Sequence, residues 1–276
     1  MSTGTPVRNS HRQPPPRRTA GDVVRDVVRG IGELLITVGM VVLLFVVYEV
    51  YVTDWISAGK QREATAALED RWANPRTAQD RPLEGEGIAR LHVPAFGPDF
   101  AFTVLEGTGD ETLATGPGHY ADTALPGQPG NFGVAGHRVG KGAPFNDLDL
   151  LQSCDALVVE TRTEWFVYRL LPLAGEVPGW AEGKGAAERC RGVAPLPPPY
   201  PEVSGMEIVD PGDASVIAPV PGRPRDSALP PDAQAQLITL TTCHPKFSAR
   251  ERLIVHGVLV AQYPKGSERP AELVEG

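Results

Sequence analysis

The sequence is best read outward from Ile238-Thr239-Leu240-Thr241-Thr242-Cys243, which is followed nine residues later by Arg252. The β-branched residues of this stretch predict a buried strand. We expect the strand to end at Cys243, because the following His244-Pro245 interrupts regular structure. Arg252 opens a second apolar run, Leu253 to Val260, which predicts another strand. The pattern therefore places a thiol and a guanidinium at the same end of two consecutive strands, where a fixed cation favours a thiolate and any oxyanion formed during its attack.

The motifs around these residues resemble those of the sortases, the cysteine transpeptidases of the Gram-positive cell surface. Thr239-Leu240-Thr241-Thr242-Cys243 matches the TLxTC signature of the family, and the Arg-Leu-Ile-Val that begins at Arg252 matches its arginine before the final strand. The histidine of the family, expected about a hundred residues upstream, is His137 in Gly133-Val134-Ala135-Gly136-His137-Arg138. The motifs stand in the order of the family and at predicted strand ends.

The resemblance implies a catalytic triad of Cys243, His137 and Arg252, and no cofactor or metal. Cys243 is then the nucleophile, Arg252 holds the oxyanion or the peptide backbone, and His137 exchanges protons with the leaving and incoming amines. Arg250 is the alternative arginine, since residues two apart share a strand face. The family places its arginine directly before the apolar run, which favours Arg252. A lone cysteine is usually an inert buried thiol, so the catalytic interpretation of Cys243 depends on the surrounding motif.

Four further residues flank the predicted site. Thr242 precedes the nucleophile, and its hydroxyl or backbone amide is a candidate to bind the substrate carbonyl. His244 is a candidate to line the substrate groove, whereas we expect His256 to be a strand-facing neighbour. Tyr120 is similar to a tyrosine of class E sortases that shapes the pocket for the sorting peptide, although an exposed loop tyrosine is also an ordinary feature. Two longer runs likewise look like class E: Gly136 to Phe145 and Cys243 to Ser248.

Short apolar segments separated by many turn residues indicate an all-β fold, because the chain contains 30 Gly and 28 Pro. We expect short helical turns at 110–115 and 144–150. The predicted strands before the two already described are 88–94, 100–105, 131–136, 156–161 and 165–170. Such a pattern is typical of a closed barrel or a sandwich. The resemblance selects the eight-stranded sortase barrel, with the catalytic domain at residues 85–264.

Residues 175–206 predict a long proline-rich surface loop. In chain order this loop corresponds to the one that lies beside the substrate groove of sortases, and mobile filler is an equal alternative. The loop contains Cys190, while Cys154 lies in Ser153-Cys154-Asp155, where sortases usually carry Gly-Asp. In an oxidising compartment we expect Cys154 and Cys190 to pair, because this pairing leaves Cys243 free.

The chain before residue 85 predicts a membrane anchor. Residues 1–30 predict a disordered basic tail, and residues 31–53 contain an apolar run near the ~20 residues that span a membrane. A cleaved signal peptide is the alternative, but no A-x-A site follows the run. More basic residues precede the apolar run than follow it. This asymmetry favours an anchor in the plasma membrane with a cytoplasmic tail and an extracellular domain. Residues 54–84 predict a helical stalk or a solvated linker, and residues 265–276 a C-terminal tail.

The net charge of −8, from 34 acidic and 26 basic residues, argues against a nucleic-acid partner. The resemblance implies cleavage of a C-terminal LAxTG- or LPxTG-like signal between Thr and Gly through a cysteine thioester, and transfer to an amine. The expected partners are secreted proteins that carry the signal, a peptidoglycan precursor or other amine acceptor, and the membrane. A papain-like hydrolase is the rival enzyme, although those proteases place their cysteine before their histidine. An L,D-transpeptidase would show Ser-x-Gly-Cys, which is absent here. A non-catalytic anchored barrel that binds a partner is the third alternative.

Overall fold

A computed structural model describes residues 19–74, 82–198, 200, 203–225, 229–266 and 268–274, without the side chains of residues 49 and 50. The chain divides into two compact units, Met1–Val47 and Tyr48–Gly276.

The first unit contains one helix, α1 (Ala20–Val47), which is long and apolar enough to cross a membrane and has no buried residue. The helix begins upstream of residue 31, so the later part of the predicted tail is helical and not disordered. A capping box explains this start: the Thr19 N–H donates to the Asp22 carboxylate over 3.0 Å, and the Asp22 N–H donates to the Thr19 hydroxyl over 3.4 Å. The first 18 residues of the predicted tail lie outside the described residues.

In the second unit, a π-helical turn at Tyr48–Val52 leads into α2 (Thr53–Ala73), and α3 (Asp110–Leu113) forms a single turn. The predicted stalk is helical over Thr53–Ala73, but this helix packs against the barrel and is not a solvated linker. Leu68 is only 1% exposed, and the side-chain amide of Gln61 bonds both backbone groups of Thr103 over 3.0 and 3.1 Å. These barrel contacts are long-range, and nothing in the charged, alanine-rich sequence of the helix indicates them.

In the part of the chain that the structure describes, nine strands form the sheet. They are β1 (Gly87–His92), β2 (Ala101–Glu106), β3 (Gly118–His119), β4 (Gly130–Ala135), β5 (Ala156–Glu160), β6 (Glu164–Leu170), β7 (Met206–Val209), β8 (Gln236–His244) and β9 (Glu251–Pro264).

Eight of these strands close into a barrel in the order β6-β5-β1-β2-β3-β4-β8-β9, because β6 also pairs with β9. Strand β7 pairs with the first part of β9 (Glu251–Pro264), whose later part pairs with β6. The predicted closed eight-stranded barrel is confirmed. Strands β3 and β7 were not predicted, since β3 has two residues and β7 lies at the end of the proline-rich segment. The predicted turn at 144–150 is a 3-10 turn at Leu148–Leu150.

Alternation along β8 separates the core from the site. Ile238 and Leu240 face the main core cluster inside the barrel, so Thr239, Thr241 and Cys243 lie on the opposite face. Strand β4 runs parallel to β8, with Ala135 opposite Thr241. Both strands therefore end at the same edge of the barrel.

The segment between β6 and β7 carries three 3-10 turns, at Ala174–Glu176, Lys184–Ala186 and Glu188–Cys190. A disulfide joins Cys154 to Cys190 and fixes this segment to the barrel, where both half-cystines are buried. Cys154 has a φ of 72°, a left-handed conformation that favours glycine. This explains why glycine suits that turn in the sortases that the sequence resembles. Beyond β9, the turn Ala271–Val274 packs back on the barrel through Leu273, so that part of the predicted C-terminal tail belongs to the fold.

Candidate active site

Cys243 and Arg252 lie directly opposite each other on antiparallel strands β8 and β9. Opposite residues of such a pair project from the same face of the sheet. Cys243 is a partly exposed free thiol. Arg250 precedes β9 and is exposed, so the strand register brings Arg252, and not Arg250, opposite Cys243.

His137 follows β4 by two residues, just as Cys243 follows Thr241 on the parallel strand β8. It is only partly exposed, and its Nε2 is buried without a hydrogen-bond partner among the described residues. Gly136 is needed at this strand end, because a Cβ there would lie 2.5 Å from the ring of Phe145. The result is an imidazole with one unengaged nitrogen at the edge of the barrel that carries Cys243.

Burial lowers the pKa of His137, because it removes water from the charged imidazolium. The positive charge of Lys141 lowers the pKa further, while the negative charge of Asp110 opposes this change. Lys141 lies in a loop that helix α2 holds, since the Gly142 N–H donates to the Asp54 carboxylate over 2.9 Å. At a given pH, a larger fraction of His137 is therefore neutral than of a free histidine.

The guanidinium of Arg252 folds over its own loop. Nη1 donates to the carbonyl oxygens of Ala249 and Glu251, each over 3.1 Å. Within the described part of the chain the side chain makes no other hydrogen bond, so Nε and Nη2 remain unused. Arg252 is thus anchored through one nitrogen and keeps further donors for another group.

Thr242 faces the opposite side from Cys243 and is 3% exposed. Its hydroxyl donates to the carbonyl oxygen of Gly136 over 2.7 Å, directly before His137. The hydroxyl therefore connects the strand ends of His137 and Cys243, and its proton is already engaged there, while Thr242 itself pairs with Leu253 of β9.

Tyr120 lies beside the same part of β8, because its hydroxyl is 2.9 Å from that of Thr241. The ring packs against Ile217 and borders a cavity of about 580 Å³ that also reaches Arg225. Tyr120 therefore contacts β8 two residues before Cys243, whereas the lining of the cavity that it borders includes none of Cys243, His137 and Arg252.

His256 is fully buried and belongs to a hydrogen-bond network that does not include Cys243 among the described residues. The Asn131 amide donates to the carbonyl oxygens of Val216 and Ala218, so its oxygen accepts the hydroxyl proton of Thr239 over 2.7 Å. Thr239 then accepts a hydrogen bond from His256 Nδ1 over 2.8 Å, and His256 Nε2 lies 3.0 Å from the carboxylate of Glu207. The predicted strand-facing histidine thus holds β7 and the segment after it in place.

His244 lies next to Cys243 and contacts Arg138, a residue for which the sequence predicted no role. Arg138 is 3% exposed, and its Nη1 donates to His244 Nδ1 over 2.7 Å. The signal that could have indicated Arg138 is its place directly after His137, since adjacent residues lie at the same strand end.

Comparisons with known proteins agree with this geometry. The family model of the sortase domain matches residues 91–174 and 200–260. Sortase SrtE1 of Streptomyces coelicolor is 32% identical over 272 residues, which cover 96% of this chain and 66% of that relative. Sortase SrtE2 of the same organism is 31% identical over 271 residues, which cover 93% of this chain and 92% of the relative.

Among solved structures, the SrtF sortase from Corynebacterium diphtheriae is 44% identical with a TM-score of 0.60, covering 72% of this chain and 97% of that chain. Sequence, fold and strand-end geometry thus agree, and the chain belongs to the sortase family of cysteine transpeptidases, with class E sortases among its relatives.

Proposed function

We propose that this protein is a membrane-anchored sortase that cleaves an LAxTG- or LPxTG-like signal between Thr and Gly and joins the threonine to a cell-wall amine. One observation carries the proposal: Cys243 and Arg252 are directly opposite, and the buried Nε2 of His137, which has no hydrogen-bond partner in the described part of the chain, lies at the same edge of the barrel. This arrangement supplies a nucleophile, a fixed cation and a proton carrier.

The first half of the reaction forms a thioester. The Cys243 thiolate attacks the threonine carbonyl, and the oxyanion accepts hydrogen bonds from Arg252. The C–N bond to glycine then breaks, and protonated His137 gives its proton to the departing amine. The products of this step are the acylated cysteine, a neutral imidazole and the released glycine peptide.

The second half transfers the acyl group. Neutral His137 takes a proton from the incoming amine, which attacks the thioester carbonyl. The new amide bond forms as the C–S bond breaks, and Cys243 leaves as a thiolate. The starting protonation state is restored, so no other reactant is needed.

The anchor and its orientation are part of the proposal. Helix α1 supplies the span, and the arginines before the span favour a cytoplasmic N-terminus and an extracellular barrel. Protease added to intact protoplasts should then degrade the barrel, whereas protection of the barrel would contradict this orientation.

The activity test uses the full chain in detergent with LAxTG and LPxTG peptides, with and without triglycine, and mass spectrometry of the products. We expect a Thr–triglycine product, no cleavage or transfer by Cys243→Ala, and a loss on the order of 10³-fold for His137→Ala. Arg252→Lys should also be severely impaired, because a point charge cannot replace the planar fork of donors.

Arg250→Lys is the matched control and should stay near wild-type activity. If Arg252→Lys were active while Arg250→Lys was not, the wrong arginine would have been assigned. Cleavage without transfer in every condition would favour a hydrolase. A Cys243 thiol that iodoacetamide cannot alkylate in the folded chain would favour a non-catalytic binding module.

A further inference from the structure

A buried arginine connects the strand ends that carry His137 and Cys243. Arg138 directly follows His137, and only 3% of it is exposed. The triad does not use this residue, yet its guanidinium lies against the backbone of the nucleophile.

The guanidinium contacts three groups at this edge of the barrel. Nη1 donates to His244 Nδ1 over 2.7 Å and to the carbonyl oxygen of Cys243 over 3.4 Å. Nη2 forms an ion pair of 2.9 Å with Asp149, and Nε is buried without a partner among the described residues. One side chain therefore joins the end of β4, the end of β8 and the turn that carries Asp149.

Stability alone does not account for this arrangement. Burying a guanidinium removes its hydration, and the gain from its partners offsets this only when its hydrogen bonds are well satisfied. Here the Asp149 side chain is 39% exposed and the Arg138 Nε is unpaired among the described residues. An apolar side chain of similar volume would pack at least as well. The contacts to Cys243 and His244 therefore indicate what the arginine contributes beyond packing.

The contact also fixes the proton on His244. An arginine carries only donors and keeps its charge, so His244 Nδ1 must accept with its lone pair. The ring proton of a neutral imidazole then lies on Nε2. Neither nitrogen of His244 can take a proton from an amine in this state, because one lone pair is engaged and the other nitrogen already carries hydrogen.

We propose that Arg138 is a positioning residue of the transpeptidase site, an inference that rests on the function proposed above. It clamps the Cys243 backbone to the strand end of His137 and holds His244 as the Nε2–H tautomer. Of the two imidazoles beside the nucleophile, His137 alone is then left to act as the base. Loss of Arg138 loosens the clamp and releases the lone pair of His244 Nδ1.

The test compares Arg138→Met, Arg138→Lys and the wild-type full chain in detergent micelles. Nitrogen-15 NMR of histidine-labelled protein reports the tautomer, and the spectrum of His244→Gln assigns the signal. We expect Nδ1 to be unprotonated in the wild type and in Arg138→Lys, which keeps a donor, and both tautomers to appear in Arg138→Met. The turnover rate of peptide transfer should fall about 10- to 100-fold in Arg138→Met, as for loss of a charge-assisted hydrogen bond.

Arg169→Met is the matched control. Arg169 is also buried and donates to a backbone carbonyl, that of Cys154, on a different part of the barrel. This variant should leave the His244 signal unchanged and transfer within about twofold of wild type. Circular dichroism checks the fold of each variant, and Arg138→Lys decides the question if Arg138→Met does not fold, because it should keep the tautomer but lose part of the transfer rate.

Two results would overturn the proposal: a proton on His244 Nδ1 in the wild type, or no greater loss of transfer in Arg138→Met than in Arg169→Met. If the wild type joins none of the peptides, the proposed function fails instead. The tautomer measurement then judges the Arg138 contact by itself, since it needs no substrate.

Discussion

At the scale of single residues, His137 is held in a setting that disfavours its protonated form. Burial is the largest cause of its lowered pKa, the charge of Lys141 adds to it, and Asp110 opposes it. In the proposed mechanism the active molecules carry a thiolate and an imidazolium together. A lowered pKa of His137 reduces their number and moves the acid limb of the pH–rate profile below the ~6.5 of a free histidine.

Changing these two charges should move that limb in opposite directions. Lys141→Gln removes a positive charge, so the pKa of His137 should rise, the acid limb should move to higher pH, and the maximal rate should increase. Asp110→Asn removes a negative charge, so the limb should move to lower pH and the maximal rate should fall. The measurement is the rate of peptide transfer from pH 5 to 9.

Lys184→Gln is the control, because this lysine pairs with Glu176 in the β6–β7 segment and is not among the charges that act on His137. Its profile should match the wild type. Shifts of the same sign in Lys141→Gln and Asp110→Asn would show that His137 does not set the acid limb.

At the scale of elements, helix α2 is a structural part of the barrel. Leu68 is buried against β1, where a Cβ on Gly87 would come within 3.3 Å of it. Arg71 donates to the carbonyl oxygen of Gly87 over 3.1 Å, and Glu69 pairs with Arg90 over 2.6 Å. The helix thus combines one apolar anchor with polar contacts to strand backbone and side chains.

Leu68→Ala should lower the free energy of unfolding by about 2–4 kcal/mol, because it removes apolar contacts and leaves a cavity. Leu150→Ala is the control, since Leu150 is 66% exposed and should change stability by less than about 0.5 kcal/mol. Urea unfolding of the full chain in detergent, followed by near-ultraviolet circular dichroism, measures both. Equal stability of Leu68→Ala and wild type would mean that α2 does not contribute to the fold.

At the scale of the whole molecule, a charged cluster connects strands around the barrel. Glu160, at the end of β5, contacts Arg90 and His92 of β1, each over 3.3 Å, and Lys265 beyond β9 over 2.6 Å. Burial acts to raise the pKa of Glu160, but hydrogen bonds from His92 and Lys265 and the charges of Lys265 and Arg90 together outweigh it and hold the pKa at about 2.

The pKa of Glu160 is lower in the folded state than its usual value of 4.5, so the ionised carboxylate stabilises the fold at pH values above 4.5. This stabilisation is lost as the pH falls towards 2. We expect the free energy of unfolding of the wild type to decline through this range. Glu160→Gln should lower the free energy of unfolding by on the order of 2–3 kcal/mol at pH 7, and the stability of this variant should change less as the pH falls. Thermal unfolding at pH 7 and pH 3.5 measures both effects. Glu188→Gln, at an exposed carboxylate, should behave as the wild type. If Glu160→Gln and the wild type lost stability equally in acid, the Glu160 cluster would not be the cause of the acid-dependent stability.

The sequence by itself predicted an all-β fold, and its family motifs selected the barrel and named the residues of the predicted triad. The β-branched run ending at Cys243 and the apolar run after Arg252 are local patterns, so neighbouring residues alone specify the two strands. The family motif then indicated His137, which lies 106 residues before the nucleophile. Strand alternation could not decide whether Arg252 or Arg250 lies beside Cys243. The register between β8 and β9 decides it, because it pairs Cys243 with Arg252.

Tertiary structure alone decided the contacts between residues far apart in the chain. The bond from Thr242 to Gly136, the buried Arg138 beside Cys243 and the docking of α2 through Leu68 all join distant segments. The burial of polar side chains such as Thr242 and Arg138 cannot be recognised from apolar periodicity. These side chains are buried because each has a specific hydrogen-bond partner, and not because they belong to a hydrophobic face. The partner exists only once the barrel has closed. For this reason the sequence could name the predicted triad but not the residues that hold it in place.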